Sequence, residues 1–366
     1  MQPRPEAVSR PAVALVIYSL YGGGAERVVS LLSAGLARSH QVDIIVFDAS
    51  RPAYEYQGVL INLDCPTQGQ GVMAKAFNLL RRSRRLRQQF RQKSYAGIYA
   101  FMESANFATI LAAPGQAVVS VRITPEVQSR FTRFLMRRLY PYARRVVAVS
   151  QGIRQRLARD MALGNLTHIP NPLDFEYIQA SSAQPFTAPL PSGRSYILAA
   201  GRLHHDKGFD LLLAAYARCQ GLCSIDLVIL GEGGERAALE QQAVELGLAG
   251  RVHLPGRMDN PFVWMRNADF FVLPSRFEGY PNVLIEALAC GCPVVATNCP
   301  TGPDEILQGG RYGVLVETGN AMALTQAMDG LIKDIAEQKR LRMVAETAVR
   351  HLTLERVSEQ WLMLGS

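Results

Sequence analysis

The sequence predicts an α/β protein built from two Rossmann-like domains, each around a parallel sheet. Three observations carry this. Apolar runs of strand length alternate with segments of helical character, as strands buried on both faces and their crossover helices do. The chain has 366 residues, 48% of them hydrophobic, enough to fill two cores of ordinary domain size. A polar, proline-bearing passage from Ser181 through Pro185, Pro189, Pro191 and Gly193 separates the two halves and reads as a linker. The expected division is a first domain over 1–172, a linker over 173–194 and a second domain over 195–351, with no short internal repeat.

The elements follow in order. Ala12–Tyr18 is an apolar strand that runs into Gly22-Gly23-Gly24. Two readings are open for Glu26 just beyond: it points into a ligand site or it caps its helix. Arg81 to Lys93 has helical propensity and carries Arg81, Arg82, Arg84, Arg85, Arg87, Arg91 and Lys93, with Leu79, Leu80, Leu86 and Phe90 as scattered apolar partners. A second basic cluster spans Arg130–Tyr140. In the second half, Ser195–Ala200 reads as a buried parallel strand. Gly201-Arg202-Leu203-His204-His205-Asp206-Lys207-Gly208 then leads into the helical run Phe209–Tyr216. Two cations therefore stand at the carboxyl end of a strand, the edge where open α/β sheets bind ligands, and Arg with Lys there suits a diphosphate. Read alone, the same segment is a loop with two surface cations.

The strand Leu227–Leu230 precedes Gly231-Glu232-Gly233-Gly234-Glu235, which lacks the dinucleotide-binding glycine pattern and reads as a strand-to-helix turn. Another strand, Arg251–Pro255, leads to Gly256 and Arg257. The most informative stretch is Phe277 to Leu288, where Glu278 and Glu286 are separated by seven residues. Pro281 and Asn282 favour a helix start, Leu284, Ala287 and Leu288 continue an apolar stripe, and Cys290-Gly291 suits the end. Glu278 then lies ahead of the helix mouth and Glu286 one turn inside it. Free amides at such a mouth attract phosphate, and carboxylates beside it accept hydrogen bonds from sugar hydroxyls. An ordinary amphipathic helix with two solvated acids is the alternative.

Charge is lopsided. Residues 1–180 hold 23 Lys and Arg against 11 Asp and Glu, whereas residues 181–366 hold 16 against 20. Basic helices with bulky apolar residues suit an anionic membrane surface, where each cation contributes about 1 kcal/mol. A solvated basic face is the other reading, and no nucleic-acid-binding module accompanies the charge. The six cysteines include no C-x2-C pair, which excludes the usual zinc spacing, and the chain is too long for a disulfide mini-scaffold. Cys219 and Cys223, four apart, are expected to pack on one helix face. No secretory leader or membrane-spanning run is read from the sequence. The expectation is a reduced, cytoplasmic protein, peripheral on the inner face of the cell membrane.

Five landmarks in order give the chain a resemblance to the GT-B-fold retaining glycosyltransferases of family 4, the group 1 glycosyltransferases. They are Gly22-Gly23-Gly24-Ala25-Glu26-Arg27-Val28, Val146–Ser150, Ile169-Pro170-Asn171-Pro172, Gly201-Arg202 with Lys207-Gly208, and Glu278 through Glu286. The run Thr297–Leu307 is similar to a branch that builds bacterial surface glycans on lipid-linked acceptors. The resemblance implies two Rossmann-like domains facing each other across a cleft, with a C-terminal segment, about 352–366, packing back on the first domain. It implies a nucleotide-sugar donor in the second domain, a lipid-linked saccharide acceptor at the first, and no metal or cofactor.

By the same resemblance, Arg202 and Lys207 neutralise the diphosphate, helped by the amides around Asn282, Val283 and Leu284. Glu278 orients the donor sugar, Glu286 grips the ribose, and Gly256 and Arg257 hold the base. Gly23 and Gly24 let their loop approach the donor phosphate or the acceptor. Retention at the anomeric carbon is also expected, and a UDP-linked hexose or N-acetylhexosamine is preferred over GDP-mannose. Where the family often has a histidine, the strand end Val118–Pro125 carries Arg122 and Thr124, so the group that meets the sugar there stays open between Arg122 and others. His204 and His205 line the loop or act as bases, and Glu305 contacts the donor sugar or starts a helix. A sugar-nucleotide epimerase of the same fold and a non-catalytic scaffold at a membrane assembly are the alternatives.

Overall fold

The structure is a computed structural model and describes residues 10–49, 52–188, 190, 194–220 and 225–365. The chain divides into two compact units, one ending at Pro172 and resuming at Leu354, the other spanning Leu173–Thr353.

In the first unit the elements run β1 (Ala12–Ile17), α1 (Gly24–Leu36), β2 (Gln41–Val46), β3 (Val59–Asn62), α2 (Gly71–Gln92), β4 (Gly97–Phe101), α3 (Glu103–Ala112), β5 (Ala117–Val121), α4 (Arg130–Leu139), β6 (Arg145–Ala148), α5 (Gln151–Met161) and β7 (Leu166–His168). Among the described residues the strands form a seven-stranded sheet in the order β3-β2-β1-β4-β5-β6-β7, and every pairing is parallel. All of β1, β4 and β5 is buried, which is why they read as unbroken apolar runs. The chain order reverses at β1, which lies between β2 and β4, so the loops leaving β1 and β4 diverge and open a crevice at the carboxyl edge.

The second unit contains α6 (Phe175–Ser182), β8 (Ser195–Ala200), α7 (Phe209–Tyr216), β9 (Ile225–Leu230), α8 (Arg236–Glu245), β10 (Val252–Gly256), α9 (Phe262–Asn267), β11 (Phe271–Leu273), α10 (Asn282–Ala289), β12 (Val294–Thr297), α11 (Pro303–Leu307), β13 (Val314–Val316), α12 (Ala321–Lys333) and α13 (Ile335–Val349). Its sheet is again parallel, in the order β10-β9-β8-β11-β12-β13, and reverses at β8. The loops after β8 and β11 therefore flank the same kind of crevice. They carry the Arg202–Lys207 and Glu278 segments.

The last helix, α14 (Leu354–Gly365), belongs to the first unit. Trp361 is 2% exposed and packs edge-on to Tyr99 and obliquely on Phe101 of β4. Leu354 and Ser358 press on α1 at Gly35, where a Cβ would collide with the Ser358 hydroxyl.

Three expectations need correction. The span 173–194 is not a linker throughout, because Leu173 pairs with Thr353 and donates its amide to Leu352, and α6 packs on α9 and α10. Gln179 of α6 bonds the Ala289 carbonyl and Glu346, so proline-bearing polarity begins only after a helix already fastened to the second unit. Pro189, Pro191 and Gly193 lie outside the described residues. The second unit accordingly runs to Thr353 rather than 351. Cys219 sits past the end of α7, in a turn, and Cys223 lies outside the described residues.

Candidate active site

In the second unit, the loop after β8 and the loop after β11 are locked together. Gly208 takes a left-handed conformation, φ +68°, and a Cβ there would collide with the Pro274 carbonyl, so only glycine lets the two backbones approach this closely. Arg276 forms a two-pronged ion pair with Asp210 at 2.6 and 2.7 Å and donates to the His205 carbonyl at 2.8 Å. Its amide donates to the Asp206 carbonyl at 2.8 Å. Across this clamp, Lys207 Nζ lies 2.6 Å from Glu278 Oε1, which also accepts from Ser275 Oγ at 2.7 Å. The Glu278 side chain is 8% exposed and the Lys207 side chain 28%. Thr301 Oγ1 donates to the Glu278 carbonyl and Thr297 Oγ1 to that of Ser275, so both ends of the Glu278 loop are pinned. Arg202, on the same loop as Lys207, is exposed and, among the described residues, forms no ion pair.

Helix α10 starts immediately after Pro281, with Glu286 buried on its second turn. The Leu284 amide already donates to the Pro281 carbonyl at 3.2 Å, and the Leu284 side chain is fully buried. Of the three amides expected to meet phosphate, that of Leu284 is therefore already engaged within the first turn. Glu305 lies half-buried on α11 and its charge acts on the buried Tyr280 hydroxyl, whose pKa is pushed up chiefly by burial. Cys299 lies near Glu278 and Lys207, but burial pushes its thiol up to about 12, which removes it as a nucleophile at neutral pH.

Gly256 and Arg257 leave β10, two strands from β8. Gly256 has φ +91°, its carbonyl accepts from the Gly231 amide at 2.9 Å, and the Glu232 carboxylate occupies the space over its Cα. The Gly231–Glu235 turn also bonds to Leu203 through Glu232 and Glu235 at 2.9 and 3.1 Å. Arg202, Gly256 and Arg257 are thus on loops joined through this turn. The glycines read as a simple turn also allow a close approach, since a Cβ at Gly233 would strike the Leu203 carbonyl. His204 accepts from the Asp206 amide at 3.3 Å and is exposed, as is His205, so both line the loop.

In the first unit, Gly23 and Gly24 open α1 at the carboxyl end of β1, and the Glu26 carboxylate folds back against Gly23. It leaves the helix start without a side-chain cap and faces Arg122 electrostatically. Arg122 Nη2 donates to Asn171 Oδ1 at 2.7 Å. Burial pushes the Arg122 guanidinium down to about 10 against the opposing pull of Glu26 and Glu103. Glu103, the first residue of α3, was not signalled by any sequence motif. It follows the β4 apolar run directly, at the strand end beside the sheet's reversal point.

The basic helix α2 starts at Gly71, ahead of the basic run, and its cations are not equivalent. Arg82 is 5% exposed, lies over the rings of Tyr18 and Phe47, and donates to the Cys65 carbonyl and Thr67, so it faces the protein. Lys93 is held by Asp43 at 2.8 Å and Arg81 bonds the Pro66 carbonyl. Arg84, Arg85, Arg87 and Arg91 are exposed, and Arg87 also reaches the Leu111 carbonyl. The exposed apolar residues of α2 are Val72, Met73, Phe77 and Leu80. Among the described residues no helix is long and apolar enough to cross a membrane, and no group of three or more His, Cys, Asp or Glu side chains could hold a metal ion.

Two parallel, doubly wound sheets, each with polar residues on the loops at its reversal point, give the chain the GT-B fold. Residues 194–334 match the family model described as "Glycosyl transferases group 1" and residues 22–177 match "Glycosyltransferase Family 4". The chain belongs to this family of glycosyltransferases. It is 29% identical over 350 residues, 92% of this chain and 94% of the other, to the N-acetylgalactosamine-N,N'-diacetylbacillosaminyl-diphospho-undecaprenol 4-alpha-N-acetylgalactosaminyltransferase of Campylobacter jejuni subsp. jejuni serotype O:2. Similarity at 25% identity covers 96% of this chain and 97% of a second enzyme of that organism, a GalNAc-alpha-(1->4)-GalNAc-alpha-(1->3)-diNAcBac-PP-undecaprenol alpha-1,4-N-acetyl-D-galactosaminyltransferase. Among solved structures, Anabaena HepE in complex with UDP shares the fold with a TM-score of 0.74 and 20% identity, covering 95% of this chain and 97% of that one.

Proposed function

We propose that the protein transfers a hexose or N-acetylhexosamine from a UDP-linked donor to a lipid-linked saccharide in bacterial surface-glycan synthesis, with retention at the anomeric carbon. The observation that carries this reading is the Lys207–Glu278 pair, clamped ahead of the α10 mouth, with exposed Arg202 on the same loop as Lys207. The pair offers the two chemistries a nucleotide-sugar needs, cations for the diphosphate and a carboxylate for sugar hydroxyls. The names of the Campylobacter relatives, with their undecaprenyl diphosphate-linked saccharides, support the acceptor class.

In this mechanism the acceptor oxygen attacks the anomeric carbon from the face that UDP leaves. The bond from that carbon to the phosphate oxygen breaks with its electron pair going to UDP, and a leaving phosphate oxygen takes the acceptor's proton. Arg202, Lys207 and the first amides of α10 stabilise the charge that builds on the diphosphate. Glu278 orients the sugar, Glu286 holds the ribose, and Gly256 and Arg257 meet the base. Glu305 and Arg122 are assigned to sugar or acceptor contact.

The reading places the protein peripherally on the cytoplasmic leaflet, with α2 against anionic lipid through Val72, Met73, Phe77 and Leu80 and the cations Arg84, Arg85 and Arg91. A thermal-shift panel of UDP, GDP, ADP and their sugars, on wild type and Glu286→Ala, tests the donor assignment. UDP compounds alone should raise the melting temperature, less in the variant. Stabilisation by GDP compounds only, or by none, overturns it.

A further inference from the structure

Two donors meet on one oxygen of Glu278. Lys207 Nζ lies 2.6 Å from Oε1, and Ser275 Oγ donates to the same atom at 2.7 Å. Among the described residues nothing hydrogen-bonds to Oε2, and that atom is not closed off from solvent. A carboxylate offers about four lone-pair sites over its two oxygens, so donors that served only to satisfy it would be shared between them. Their concentration on Oε1 fixes the carboxylate by one edge. The other edge is left to accept a hydrogen bond from outside the chain.

The two donors differ in how firmly they are held. Lys207 carries its charge on a flexible side chain that is 28% exposed, and in the proposed donor site that charge is drawn to the diphosphate. Ser275 is fully buried, two residues beyond β11. Thr297, the last residue of the neighbouring strand β12, donates through Oγ1 to the Ser275 carbonyl at 2.5 Å and to the Leu273 carbonyl at 3.2 Å. Thr301 Oγ1 donates to the Glu278 carbonyl, and both threonines are buried. A serine places its hydroxyl oxygen with a single side-chain torsion, so a backbone fixed to the sheet fixes the donor.

We infer that Ser275 is a positioning residue for the donor sugar: it keeps Glu278 Oε1 anchored once Lys207 turns to the diphosphate, so that Oε2 stays presented to a sugar hydroxyl. The inference rests on the proposed donor site for the identity of the ligand, and adds to it the group that holds the carboxylate when the ion pair opens. Without the serine hydroxyl, phosphate would draw away the one remaining donor to Oε1 and the carboxylate would lose its orientation. Contact with the sugar would weaken, whereas UDP alone, which carries no transferred sugar, would bind as before.

The test is isothermal titration calorimetry of the full chain with UDP and, separately, with UDP-N-acetylgalactosamine, UDP-N-acetylglucosamine and UDP-glucose, the tightest of the three serving in every comparison. The readout is the ratio of the Kd for the UDP-sugar to the Kd for UDP, which a loosened fold leaves unmoved because both ligands need the same fold. Ser275→Ala should raise that ratio about tenfold, the lower end for one hydrogen bond to a charged group, with the Kd for UDP within about twofold of wild type. Ser275→Cys, close in shape and a weaker donor, should give an intermediate ratio, and it carries the comparison if the alanine variant does not fold. In a Glu278→Ala chain the further change Ser275→Ala should leave the ratio where Glu278→Ala alone puts it, since the serine acts through that carboxylate.

A ratio unchanged in both Ser275 variants overturns the inference, as does a further rise when Ser275→Ala is added to Glu278→Ala. Equal weakening of UDP and the UDP-sugar overturns it too, because that marks a residue that only holds the fold. Failure of UDP to bind wild type is a separate result, which sinks the donor assignment and the inference with it.

Discussion

Removal of Lys207 tests whether the clamp between the β8 and β11 loops depends on charge. Lys207→Met leaves the Glu278 carboxylate 8% exposed, with Ser275 Oγ at 2.7 Å still donating to it. Stranding one member of a fully buried pair costs about 3–5 kcal/mol, but Lys207 is 28% exposed and solvent screens part of that. The expected loss is about 2 kcal/mol, and Glu278→Gln in the same chain should restore about half of it by removing the unpaired charge. The assay is urea unfolding followed by tryptophan fluorescence. The chain has two tryptophans, Trp264 in the second unit and Trp361 in the first, so Trp361→Phe leaves a reporter of the second unit alone. A loss of this size moves the midpoint by about 1 M urea. If Lys207→Met unfolds with wild type, or if Glu278→Gln adds a further loss instead of a recovery, the pair does not hold the loops and the reasoning fails.

Gly208→Ala should cost the second unit more than 1 kcal/mol, because the new Cβ meets the Pro274 carbonyl at a left-handed φ, and an unchanged urea midpoint would contradict the close approach. Cys299 should resist iodoacetamide in the native protein at pH 8, since thiolate forms only as pH nears a value pushed up to about 12, and rapid alkylation of Cys299 found by peptide mass spectrometry would refute its burial. On α2, Arg84→Glu with Arg85→Glu should weaken sedimentation with anionic vesicles by about 1 kcal/mol or more per charge while leaving the melting temperature unchanged. Arg82→Glu should instead lower the melting temperature, because Arg82 is stacked against Tyr18 and Phe47; the reverse pattern would contradict this division of roles.

The strands at the centre of each sheet were legible because burial on both faces makes β1 and β8 continuous apolar runs. Helix α10 was legible from its proline start and glycine end. The coupling of Lys207 to Glu278 was not, because two acidic and basic residues 71 positions apart meet only once β8 and β11 are known to be neighbours. Arg82 was misplaced because a run of arginines conceals which one turns inward. The spacing of Asn78, Arg82 and Leu86, four residues apart on one helix face, was the available signal, and all three are buried. Helix α6 was taken for linker since its polar composition resembles a loop and its Asp174 cap shows itself only in the bond to the Tyr177 amide. Glu103 carries no motif, and its place at the reversal of the sheet follows only from the strand order.

The most direct measurement of the central claim is sugar transfer itself. The purified chain is mixed with UDP-N-acetylgalactosamine or UDP-glucose and a panel of diphospholipid-linked saccharides, and the lipid products are analysed by mass spectrometry and NMR. The account predicts that one acceptor gains the mass of a single hexose or N-acetylhexosamine, joined with the anomeric configuration of the donor. Donor left intact across the panel, or a product of inverted configuration, would contradict it.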